Sequence, residues 1–216
     1  MDAIKRGGLA AVAGATLAIA GNAAVLAADP AVSDDRVSYP LSTHVFQGGQ
    51  LFFALTQALL AMGIFALVRS GIAGPGRAAR VWGLIAVAGM VLTVPGELAL
   101  IPVANSDVDA AATSAASTVF GLGVLLADIG LVGLGVLALR LRRWPAMWAT
   151  LPLVLGLFQL LVATPVSFAL GFVSTGSFVV IVVADLLTAL IGIGLMRGPV
   201  MRERADGGAD NRLVRE

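Results

Sequence analysis

The stretch Val119–Leu139 reads VFGLGVLLADIGLVGLGVLAL, runs straight into Arg140, and carries one charged side chain, Asp128. About 20 apolar residues, rising about 1.5 Å each in a helix, cross the hydrocarbon core of a bilayer. A helix on the surface of a soluble domain needs a polar face, and none can be drawn on this one. Backbone groups in hydrocarbon must satisfy one another within the segment, so the stretch is expected to be helical.

Five other stretches read the same way: residues 8–28, 50–68, 81–103, 147–172 and 177–196, none holding Lys or Arg. The expected fold is an all-α integral membrane protein, a six-transmembrane-helix bundle forming one membrane domain over residues 1–201. Residues 202–216, rich in charge and glycine, are expected to be a disordered tail. The alternation and regular turns of a membrane β-barrel are absent. Composition agrees: hydrophobic residues make up 58% and charged residues 12%, with a mean hydropathy of +0.95. Ordinary soluble domains carry roughly a quarter charged residues. A soluble core of this size could not hide so much apolar surface.

Charge placement gives the orientation, because Lys and Arg resist translocation. Thirteen of the fourteen basic residues flank the spans on one side: Lys5, Arg6, Arg69, Arg77, Arg80, Arg140, Arg142, Arg143, Arg197, Arg202, Arg204, Arg212 and Arg215. Only Arg36 falls on the other side, with Asp29, Asp34, Asp35, Asp107 and Asp109. Both termini are therefore expected in the cytoplasm, with the protein in the inner (plasma) membrane. The excess of Arg over Lys, with abundant Ala, Gly and Val, is associated with GC-rich bacterial genomes. The first span has a second reading, because Lys5-Arg6, an apolar run and Val25-Leu26-Ala27 before Ala28 also fit a cleaved signal peptide. An apolar run of roughly twenty residues exceeds the usual h-region of about 7–15, which favours a retained helix.

The even-numbered spans end alike, on Gly63 to Arg69, Gly135 to Arg140 and Gly192 to Arg197. Twelve residues before each terminal arginine stand Gln57, Asp128 and Asp185. Prolines mark the opposite ends of the odd-numbered spans (Pro30, Pro95, Pro165), and Trp82, Trp144 and Trp148 mark their arginine-flanked ends, where interfacial aromatics belong. Three helical hairpins in parallel orientation would produce this pattern, unlike the inverted repeats of many transporters.

Twelve residues of helix are about 18 Å, which puts Asp128 and Asp185 near mid-bilayer. No Lys, Arg or His lies inside a span to pair with either. Such residues are costly in lipid and often mark proton or ion pathways, and two that face each other would titrate jointly. Gly121 and Gly135 flank Asp128 at seven residues, and Gly192 follows Asp185 at seven, so each acid is expected to face a partner helix. Gln57 departs from the pattern, since Ile64 holds the matching position. Glu97 is a third candidate, two residues past Pro95. Pro95-Gly96 and Thr164-Pro165 are hinge candidates that would bend their helices, with Gln159 and Ser167 nearby, and open a polar vestibule beside Glu97.

Each acid also has a plain structural reading, as a donor holding two helices together or, for Glu97, as a headgroup-level carboxylate. His44 reads as a surface residue. Missing chemistry narrows the rest. With no cysteine, disulfides, thiol catalysis and thiolate metal sites are excluded, and one histidine cannot ligate a bis-histidine haem. No lysine follows Lys5, so a retinal Schiff base is excluded. No P-loop, H-E-x-x-H or G-x-S-x-G motif occurs. No cofactor, metal, catalytic residue or nucleic-acid partner is expected. The expected partners are the lipid bilayer and a second copy or a membrane partner protein. The leading reading is a non-catalytic membrane subunit or scaffold. The alternative is a small proton- or cation-coupled permease working through Asp128, Asp185, Glu97 and Gln57. An intramembrane enzyme comes last.

Overall fold

Each apolar stretch folds as a helix because only that conformation satisfies its backbone without water. The structure, a computed structural model, describes residues 2–210 and the side chains of residues 2–197. Six helices are long and apolar enough to cross a membrane. They are α1 (Ala3–Leu26), α2 (Thr43–Arg69), α3 (Arg77–Ala99), α4 (Ala111–Leu141), α5 (Ala146–Leu170) and α6 (Thr175–Asp210), the last crossing with Thr175–Arg197. The protein is a six-helix membrane bundle, with no β-strand among the described residues.

The helices overrun the apolar windows. α2 begins at Thr43 and α4 at Ala111, well before the stretches starting at 50 and 119. Hydropathy marks only the part of a helix at hydrocarbon depth, while its polar first turns stand in the interface. His44 accordingly lies exposed in the first turn of α2. α6 continues through Asp210, where residues from 202 onward were expected to be disordered. The continuation runs past Gly198 and Pro199 and includes the good formers Arg202, Glu203, Arg204 and Ala205. The last part of that expected tail, 211–216, lies outside the described residues.

Each helix packs on the next in sequence, and α6 returns to pack on α1. α2 and α6 also touch, so α1 lies across the groove between them. The backbones of α4 and α6 do not pack directly on each other, while α5 packs on both. The most extensive seam joins α3 and α4, and glycines make it possible. A side chain on Gly89 would run into the backbone of Gly123 and Ala127, and one on Gly130 into Ala86. A Cβ on Gly96 would sit 2.6 Å from Phe120 Cα. Small residues let helices approach in a solvent as apolar as their own side chains, where dispersion contacts must supply the attraction. Gly8 and Gly192 meet in the same way across the α1–α6 seam.

At the end opposite the arginines, the α1–α2 and α3–α4 loops are joined. Arg36 and Asp107 form an isolated antiparallel bridge, and Val37 N–H donates to Ser106 O at 3.1 Å. Val108 N–H donates to Asp35 O at 2.8 Å. Arg36 Nη1 lies 3.2 Å from Asp107 Oδ1 and donates to Asn105 O at 2.9 Å. The pair is exposed, with side-chain exposures of 39% and 63%. Exposed ion pairs are worth about 0–1 kcal/mol, so Arg36→Ala should lower unfolding free energy in detergent by less than about 1 kcal/mol. A larger loss in thermal unfolding would mean the arginine holds more than this junction.

Candidate functional site

The interior of the bundle is divided along its length. Between mid-helix and the arginine-bearing end it is apolar, with Ile64, Leu67, Leu131, Leu134, Leu155, Ile191 and Leu195 packed into one cluster. From mid-helix towards the loop-bearing end it turns polar, with Gln50, Thr56, Thr93, Glu97 and Ser167 all buried. Asp128 and Asp185 stand near the boundary, each buried. The candidates read from the sequence thus fall at mid-depth or on the polar side of the bundle.

Gln57 and Glu97 meet at the α2–α3 seam. The Gln57 side chain lies beside the buried Glu97 on this seam, linked to it through Thr93. Thr93, one helical turn before Glu97, completes the group, its Oγ1 3.4 Å from Gln57 Oε1. The same hydroxyl lies 2.7 Å from Met90 O, and its one proton favours that shorter bond. Glu97 is therefore buried against α2, two residues before the end of α3. Thr93 was not singled out in the sequence; its spacing of four residues before Glu97 is the signal that places both on one face.

Asp128 is 1% exposed, and neither carboxyl oxygen has a hydrogen-bond partner among the protein's groups. It lies on the α5-facing side of α4. Gly156 of α5 comes against the Asp128 main-chain carbonyl, and Gly135, seven residues on, receives Leu153 of α5. The expected neighbouring small residue is present, while a partner for the carboxyl itself is not. Gly121, the other glycine at seven residues, meets open space.

Asp185 is also buried, with Oδ2 unpartnered. Seven residues of helix return to nearly the same face, so Asp185 shares its side of α6 with Gly192, which packs on Gly8 of α1. The side of α6 that faces α5 is marked instead by Gly194, against Trp148. Helix rotation thus turns Asp128 towards α5 and Asp185 towards α1, on helices whose backbones do not pack directly on each other. Among the described residues, no three Asp, Glu or His side chains gather closely enough to share a metal ion.

Matched spacing does not bring matched contacts. Gly135 packs on α5 and Gly192 on α1, in each case the next helix around the ring. Gly63 instead packs on Ala11 of α1, the preceding helix. It stands six residues after Gln57 and not seven. One residue is about 100° of rotation, enough to turn it to the other neighbour.

The hinge candidates behave unequally. α3 continues through Pro95 to Ala99; Pro95 is exposed on the outside of the bundle, and Gly96 is clamped against Phe120. That segment is held closed. α5 does deform: residues Gln159–Ala163 form a π-helical turn immediately before Thr164-Pro165, and Thr164 N–H donates to Gln159 O, five residues back. Proline removes one N–H and crowds the carbonyl four residues earlier, and a widened turn relieves that clash. Ser167 is buried just beyond it. Comparison with protein-family models, curated proteins and solved structures finds no match.

Proposed function

We propose that this multi-pass membrane protein is a non-catalytic membrane subunit or scaffold, lying in the plasma membrane with both chain ends in the cytoplasm. The observation that carries the reading is that Asp128 and Asp185 lie on faces turned to different neighbours, on helices whose backbones do not pack directly on each other. A relay that passes a proton or cation between two carboxylates needs them within reach of each other or of a shared polar path. Here α5 packs on both of their helices, and the half of the interior towards the arginines is an apolar cluster. Among the described residues no buried hydroxyl is hydrogen-bonded to a carboxylate, and no catalytic role is assigned. The orientation is supported by the placement of every described basic residue except Arg36 at one end of the bundle.

The test is flux. Purified protein in liposomes should leave an imposed pH or sodium gradient decaying at the rate of protein-free liposomes. Asp128→Asn with Asp185→Asn should not change that rate. Faster decay in the wild type, abolished by these substitutions, would overturn the scaffold reading. A second reading, a small proton- or cation-coupled permease, is favoured by the Asp128 carboxyl, which is fully buried with both oxygens unpartnered. The same liposome measurement decides between the two.

A further inference from the structure

The first two turns of α3 carry a shallow, largely open surface cleft of about 300 Å³ lined by Arg77, Arg80, Val81 and Leu84. These residues are spaced i, i+3, i+4 and i+7, which is one face of a helix. The face is outward: Leu84 is 69% and Val81 47% exposed, and Val91 continues the line deeper into the membrane. Both arginines are exposed, and among the described residues neither is in an ion pair; the two ion pairs there belong to Arg36 at the opposite end. The preceding loop adds positive charge from a neighbour. Gly74 lies against Leu141, with the Arg143 guanidinium about 4 Å from where its Cβ would stand. Trp82 lies beside the cleft in sequence, at the depth where interfacial aromatics sit.

We propose that this cleft binds one anionic phospholipid, its phosphate held by Arg77 and Arg80 and an acyl chain laid along Val81, Leu84 and Val91. The charge pattern matches the molecule: a guanidinium pair at headgroup level gives way, within one turn, to aliphatic surface facing hydrocarbon. Arginine suits the phosphate because its planar fork donates two parallel hydrogen bonds to neighbouring oxygens. A soluble anion would leave the aliphatic half of the cleft unused, and a zwitterionic lipid would bring its own cation to two arginines. The bilayer supplies the ligand at high local concentration wherever anionic lipid is present.

All three tryptophans stand at this end of the chain's helices, so lipids with brominated acyl chains report binding by quenching. In neutral detergent micelles, brominated phosphatidylglycerol should half-saturate quenching at a mole fraction about tenfold lower than brominated phosphatidylcholine. Arg77→Gln with Arg80→Gln should bring the two lipids together, while Arg77→Lys with Arg80→Lys keeps most of the preference. Arg80→Gln alone should lose part of it, a readout that survives if the double variant does not fold. Equal quenching by both lipids in the wild type would overturn the site. So would a preference that persists in the double glutamine variant, or one abolished by millimolar glycerol phosphate, which would make the ligand a free phosphate.

Discussion

Gly89→Ala is expected to remove most of the folded protein in detergent, lowering unfolding free energy by about 3 kcal/mol or more. Overpacking a helix seam ordinarily costs about 1–3 kcal/mol, because neighbouring side chains turn aside. At Gly89 no side chain stands in the way to turn: the added methyl meets the main-chain N of Ala127 and the carbonyl of Gly123. Relief requires α3 and α4 to move apart, which unseats Gly96 from Phe120 and Gly130 from Ala86 along the same interface. Gly121→Ala is the control. A Cβ there meets nothing within 4 Å, and alanine is the better helix former by about 1 kcal/mol. It should melt with the wild type or slightly above it. Thermal unfolding of the purified variants, followed by circular dichroism, checks both, and a Gly89→Ala protein that melts with the wild type would refute the close approach.

Asp128→Ala should make the protein more stable, by about 1 kcal/mol. A buried polar group with no partner carries a desolvation cost of about 1–3 kcal/mol. Removing it recovers that cost, less a small cavity term of about 24 cal/mol per Å³ vacated. Had the carboxyl been holding two helices together, the sign would reverse and the variant would melt earlier. Double-mutant cycles on such bonds in membrane proteins average about 0.6 kcal/mol, so the two outcomes are separable in sign if not widely in size. Asp185→Ala gives an internal comparison, because one of its oxygens, Oδ2, is fully buried without a partner, against both in Asp128. A stability gain at Asp128 together with unchanged flux would leave its retention without a physical reason. A gain together with lost flux would make it a working group and favour the permease reading.

How much of this was legible in the sequence differs by level. The six spans followed from hydropathy, because membrane insertion is decided by each segment's own composition. Their ends did not. Thr43 to Gly49 and Ala111 to Thr118 are too polar or too small to register in a hydropathy window, yet they continue helices that the spans had already nucleated. Among the candidate acids, a place inside the bundle was readable and direction was not. Asp128, Asp185 and Gln57 each stand twelve residues before an arginine, a spacing that the sequence shows directly. Which neighbour each one faces depends on helix rotation, and a one-residue offset such as Gly63 against Ile64 is enough to change it. Pro95 and Pro165 read alike in sequence; they diverge because Gly96 is locked against Phe120 while the helix before Pro165 widens into a π turn.

The return of α6 onto α1 has a bearing on biogenesis. Five helices can enter the membrane and pair with the one before, but the buried face of α1, from Gly7 to Ala18, is completed only when the sixth arrives. Until then half of that face must rest against lipid or an insertion chaperone. The small residues that fit it so closely to its final neighbour give it little to hold in the meantime. Closure of the ring is thus a late event, and a nascent chain stalled before Thr175 would leave α1 held by α2 alone.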